Sequence, residues 1–144
     1  MVYEGGNPEA GYRFERTATT VVFAGWGIWP DDVAQACAAD TVRAFTNLPQ
    51  GWTLLLDFER MQLQRPHNEH VLGNALRTAM SGGVSAIRVA TINAIVKLQV
   101  RRLAGGQANI AFFETRSAAV AAGPAWASAA HSLETLIGGR NRGS

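Results

Sequence analysis

Trp52-Thr53-Leu54-Leu55-Leu56-Asp57-Phe58 is the stretch whose reading decides the fold. Pro49 and Gly51 precede it, and helical patterns lie on both sides. An apolar run of this length between turn residues reads as a strand buried on both faces. Such a strand belongs in a sheet covered by helices. Asp57 then falls at the strand's carboxyl end, where open α/β sheets place their binding crevices.

The same reading extends outward. Residues 1–10 carry Gly5, Gly6 and Pro8 and read as frayed or extended, so 1–9 is expected to be a flexible N-terminus. Tyr12 to Arg16 alternates aromatic and charged residues, as an edge strand does. Thr19 to Ala24 is β-branched and apolar, and only Thr17-Ala18 separates the two runs. An antiparallel hairpin follows. Pro30-Asp31-Asp32 opens a helix, with proline in the first turn and two carboxylates at the positive end of the dipole. That helix is expected to reach about Thr46.

Val71, Leu72, Ala75, Leu76, Ala79 and Met80 form a double stripe at i, i+4, so a helix runs from near Pro66 to the stop at Gly82-Gly83. Residues 84–91 read as a strand. Ile92 to Ala104 reads as a helix with Ile92, Ile95, Val96, Val100 and Leu103 facing inward. Residues 108–113 form the last strand, and an alanine-rich helix starts near Arg116, with Gly123-Pro124 interrupting it. The expected fold is α/β: an N-terminal β-hairpin, then alternating βα units. This makes a mostly parallel mixed sheet of about five strands with four helices and right-handed crossovers. One domain over 10–137 and a flexible tail over 138–144 complete it.

Composition limits the classes of function. Apolar residues make up 47% and charged residues 17% of the 144, a globular balance. No run approaches the roughly 18 apolar residues of a membrane span, and the N-terminus lacks a signal-peptide pattern. The single Cys37 forms no internal disulfide. A bacterial-type cytoplasm is the default expectation. The net charge of +2 rests on Arg140 and Arg142 in the tail; without them the two signs balance. Nucleic-acid binders show a basic face. Here Arg88, Lys97, Arg101 and Arg102 read as a solvated helix face, so no nucleic-acid partner is expected.

These segments together resemble the STAS-like group, the fold of anti-sigma-factor antagonists and of the sulfate-transporter C-terminal domain. The resemblance is nearest to small stand-alone bacterial STAS/SEC14-like proteins and covers roughly residues 10–135. Four segments carry it: Val22 to Gly25 before Pro30 to Val33; Leu54 to Phe58; Ile92 to Gly106; and Phe112 to Thr115 through Trp126. It implies a regulatory protein-binding role. It also implies a phosphorylatable serine at the helix start after the strand ending in Asp57, where backbone donors favour an anion. Glu59 to His70 contains no Ser, Thr or Tyr. The family's phosphoserine switch is therefore not supported.

Other candidates each have an ordinary reading beside the functional one. Asp57 reads as a cap on the loop after its strand, or as a functional carboxylate. A receiver-type phosphoacceptor also needs a lysine at the end of the last strand, but the sequence there is Phe113-Glu114-Thr115-Arg116. His67 and His70 stand at i, i+3, a chelating spacing, with His131 unplaced; a surface pair is favoured and no metal is expected. Cys37 reads as a small buried hydrophobe. No dinucleotide or phosphate-loop fingerprint is present, so no cofactor is expected.

Gly25-Trp26-Gly27-Ile28-Trp29-Pro30 is the least ordinary segment, with two tryptophans before a helix and Trp29 at the apparent N-cap. Either it folds over the core, or it offers an apolar patch to a partner. Trp26, Ile28, Trp29 and Asp31 are the candidate interaction surface, and Trp126 is a candidate neighbour. The leading expectation is a non-enzymatic interaction or regulatory module that binds a protein or itself. On that reading Trp29→Ala weakens association without unfolding. The alternative is a small-molecule or lipid-binding domain with an apolar pocket near Trp26 and Trp29.

Overall fold

Six strands lie side by side in chain order in a computed structural model that describes residues 1–106 and 109–123. They are β1 (Val2–Gly6), β2 (Gly11–Arg16), β3 (Thr20–Gly27), β4 (Thr53–Met61), β5 (Ala86–Ala90) and β6 (Ile110–Phe113). The helices are α1 (Asp31–Ala44), α2 (Glu69–Ser81), α3 (Ala94–Ala104) and α4 (Arg116–Ala122). β1, β2 and β3 pair antiparallel, and β3 through β6 pair parallel. The α/β class and the opening hairpin are as the sequence indicates. The sheet gains a sixth strand, because Val2–Gly6 pairs with β2 along its whole length instead of fraying.

The chain-order topology decides where the helices go. Every parallel crossover steps to the next strand in the same direction. With one hand of crossover, successive helices then land on one face. Val33 and Cys37 of α1, Leu72 and Leu76 of α2 and Val100 of α3 share one core cluster with Phe14, Phe23, Leu54, Leu56 and Phe58. The alternate residues Val22, Leu55, Asp57 and Arg88 therefore face the other way. α4 reverses to that second face, where the Ala119 carbonyl accepts from Arg88 Nη1 at 2.8 Å. Leu55 is buried there as fully as its neighbours Leu54 and Leu56. That is the two-sided burial read from the apolar run.

Several boundaries differ from expectation, and two of them shape the region around Trp29. β4 does not end at Phe58 but continues to Met61. Phe58 and Met61 both reach the core, because the register shifts between Ala24 and Trp26 of β3. Across that shift, Gly25 of β3 stands opposite both Phe58 and Glu59 of β4, the signature of a β-bulge. The N-cap of α1 is Pro30, not Trp29, and no side chain caps it. The end of the alanine-rich helix, Trp126, His131 and the tail lie outside the described residues.

Gly27 closes β3 at a φ of 71°, and a Cβ there would drive into the Glu9 carbonyl oxygen. Gly105 ends α3 at a φ of 68° with nothing within 4 Å of such a Cβ. Both positions charge alanine the left-handed cost of roughly 1–2 kcal/mol. Only Gly27→Ala adds an overpacking cost of about 1–3 kcal/mol. Urea unfolding should therefore show Gly27→Ala as clearly the less stable of the two variants.

Candidate functional site

Trp29, expected at a surface, is fully buried. Its ring stacks on Phe23 with centroids 6.3 Å apart and meets Tyr12 edge-on at 6.5 Å. The indole N–H donates to the Gly11 carbonyl at 2.8 Å. Its backbone N–H donates to Gln64 Oε1 at 2.9 Å, and its carbonyl accepts from Asn68 Nδ2 at 3.2 Å. The loop therefore folds into the core, and Trp29 cannot anchor a partner from there. Trp29→Ala should cost about 3–5 kcal/mol of stability, read as a lower denaturant midpoint. This corrects the expectation that the variant stays folded.

The rest of the loop divides. Ile28 remains 41% exposed. Trp26 is half-buried on the second face, with its indole N–H donating to the Asn7 carbonyl at 2.7 Å. Asp31 is exposed and lies 2.7 Å from His67 Nε2. The hydrogen bond from His67, then that from Asn68, holds the Asp31 carboxyl below the usual range. His70 turns back and donates from Nδ1 to the His67 carbonyl at 2.9 Å. The two imidazoles thus serve separate bonds. Among the described residues no group of three His, Cys, Asp or Glu gathers to hold a metal.

Asp57 is not at a strand end. It lies inside β4, between Ala24 of β3 and Ala90 of β5. Its Oδ2 accepts from Arg116 Nη1 at 3.3 Å, so it ties the sheet to the start of α4. Cys37 is buried, and burial pushes its thiol far up, away from the nucleophilic thiolate. Tyr12 Oη donates to Asp40 Oδ2 at 2.6 Å; burial first, then this bond, raises its hydroxyl.

The helix start at which the resemblance would place a serine is occupied by other bonds. α2 begins at Glu69, and its N-cap is Asn68. The Asn68 amide is spent on the Trp29 carbonyl and on Asp31 Oδ1 at 3.1 Å. This helix start is bonded to the start of α1.

The exposed apolar surface lies elsewhere. Ile92 is 72% exposed, Ile95 56% and Leu98 63%. The first two were expected inward. The helix begins only at Ala94, and its buried residues are Val96, Gln99, Val100 and Ala104. The buried stripe is therefore set one residue later than the one expected from Ile92 and Ile95. Ile95 and Leu98, at i, i+3, share the outward face. Leu63 is 47% exposed, next to Gln64, whose N–H donates to Gln99 Oε1 at 3.3 Å.

Gln99 and Gln64 were missed in the sequence. Gln99 occupies a buried phase of α3, which is its one detectable signal. Gln64 carries no pattern. The expected basic face also divides. Lys97, Arg101 and Arg102 stay on α3, but Arg88 is buried in β5 under α4, with no partner for its Nε among the described residues.

Glu69 anchors α3 to α2. Its Oε2 accepts from Arg102 Nη2 at 2.7 Å and from Gln99 Nε2 at 3.0 Å. The Arg102 bond, then Gln99, lowers the carboxyl from 4.5 to about 2. A carboxyl depressed in the folded state stabilises above its unfolded value and loses that contribution as pH falls through the folded value. Wild type should thus exceed Glu69→Gln by up to about 1 kcal/mol at pH 6, the scale of an exposed pair. The gap between their denaturant midpoints should close as pH falls from 4.5 toward 2.

The one-sided helix layer over a sheet in chain order is a STAS-like arrangement, and the chain has this fold. A crystal structure of an uncharacterized protein from the DUF3478 family, from Shewanella loihica PV-4, has a SpoIIAA-like fold. It matches 83% of this chain and 91% of its own with a TM-score of 0.53 and 12% sequence identity. At that identity the likeness concerns the fold alone. No family model matches the sequence, and no curated protein is similar to it. Among the described residues no helix is long and apolar enough to cross a membrane.

Proposed function

We propose that this chain is a non-enzymatic protein-interaction module of STAS-like fold, acting without a phosphoserine at the start of α2. The observation that carries this reading is the exposed apolar face of Ile92, Ile95 and Leu98 at the start of α3. Three large apolar side chains, one just before α3 and two on it, are each more than half exposed, and such a patch supports a role in interaction. The residues that would suggest chemistry are engaged otherwise. Cys37 packs in the core, Asp57 is paired with Arg116, and His67 is paired with Asp31.

The face has a definite chemistry. Lys97 and Arg101 flank Ile95 and Leu98 on the helix. A partner protein with an apolar patch and an acidic rim complements it, with the apolar contact supplying affinity and the charges supplying orientation. The Glu69–Arg102 pair and the Gln64–Gln99 bonds hold α3 against α2 and the loop before it. The surface is thus presented on a fixed element.

Ile95→Asp with Leu98→Asp should leave stability within about 0.5 kcal/mol, as surface changes do. Capture from the source cells with wild type and with this double variant should differ in a partner whose binding weakens with salt. Identical captured proteins would remove the reading. Loss of a self-associated species by light scattering would assign the face to a second copy instead.

A further inference from the structure

The bulge in β4 builds a second site on the opposite face of the sheet. Phe58 and Met61 keep to the core, and the residues between them, Glu59 and Arg60, both turn out. With Asp57 they border a groove of about 310 Å³, floored by Ala24 and Gly25 and walled by Trp26. That volume falls within the usual range for small-molecule pockets, roughly 300–1,000 Å³. Gly11 across the strand pair lets the indole lie close, since a Cβ there would sit 2.7 Å from Trp26 Cζ2. The bond from Trp26 Nε1 to the Asn7 carbonyl fixes the ring.

The charges around the groove balance in number, Asp57 and Glu59 against Arg60 and Arg116, but they are not equally engaged. Arg60 lines it, but its Nη2 is drawn away to the Pro8 carbonyl at 3.1 Å. Arg116 lies 3.3 Å from Asp57 and donates its backbone N–H to Glu59, while Glu15, at 3.6 Å from it, is shared with Arg13 at 3.5 Å. Glu59 accepts from the Arg116 backbone N–H through Oε2 at 2.9 Å; among the described residues its Oε1 accepts no bond. The groove already holds one guanidinium against its carboxylates and has acceptor capacity left.

We propose that this groove binds an organic cation with N–H donors, a guanidinium group, between the Trp26 ring and the Glu59 and Asp57 carboxylates. Indole is the strongest aromatic partner for a cation. A carboxylate adds charge-assisted hydrogen bonds that a quaternary ammonium cannot make. The site lies across the sheet from α3 and stands whether or not that face binds protein. The ligand is either a free small molecule or an arginine side chain of a peptide, and the two probes below separate these sources.

Agmatine and a capped Gly-Arg-Gly peptide are titrated into the full chain, following the Trp26 indole N–H by NMR. Saturable binding of either probe supports the site, and the tighter probe names the source. Glu59→Gln, at an exposed position that leaves the fold intact, should weaken binding about tenfold. Trp26→Leu, followed instead at the Glu59 backbone amide, should weaken it about three- to thirtyfold. No shift at millimolar concentration of either probe overturns the proposal. So does an equal response to uncharged 1-pentanol, or binding that Glu59→Gln leaves unchanged.

Discussion

Three side-chain amides satisfy the backbone around Trp29, and the join between the layers depends on them. A bulky indole buried at a loop brings its peptide groups inside with it, and buried peptide groups need partners. Gln64 accepts from the Trp29 N–H and donates to the Gly27 and Gln62 carbonyls at 2.8 and 2.9 Å. Asn68 takes the Trp29 carbonyl, and Gln99 joins Gln64 to α3. The loops after β3 and β4 and the third helix are thereby held at one point. Leaving one of these buried groups unpaired costs about 1–3 kcal/mol. Polar residues at these positions are as structural as the aromatic one they surround.

The sheet adds a second constraint. Because strand order follows chain order, the parallel part has no reversal and hence no switch-point crevice of the doubly wound type. The helices α1 to α3 cover one face, and only α4 is described on the other. The second face must therefore manage its own charges. Arg88 is buried there, with a carbonyl of α4 as its described acceptor, and burial lowers its proton affinity. Toward the carboxyl ends of β3 and β4 that face is instead polar, and there the bulge opens a groove.

Much of the fold was legible because periodicity reports burial. The apolar run at Leu54 to Leu56 and the double stripe of α2 each follow a single rule, and both match the structure. β1 escaped because Val-Tyr-Glu-Gly-Gly has weak strand propensity; its place comes from pairing with β2, a tertiary effect. The candidate site was less legible. Trp29 drew attention correctly as a residue whose packing outweighs a cap, but sequence does not say whether an indole packs inward or outward. Ile92 and Ile95 fit an inward stripe until the helix start at Ala94 fixes the phase. Arg88 looked exposed because charged residues usually are, and the sign of its strand face is set by α4, far along the chain.

The absence of Ser, Thr and Tyr from Glu59 to His70 changes what regulation of the kind the resemblance implies would require. A phosphoserine at a helix start works by adding charge where dipole and donors already favour it. Here that helix start carries Asn68, whose amide links α2 to Trp29 and Asp31. A charge switch at this point would have to break a bond between two helices, not add one at a free terminus. If the α3 face binds a partner as proposed, no hydroxyl at the start of α2 can carry such a switch. Control by concentration of the partner, or by occupancy of the groove beside Trp26, fits the arrangement better. The groove and α3 lie on opposite faces; the groove is built on the bulge of β4, and α3 is tied to the loop after β4 by the Gln64–Gln99 bonds.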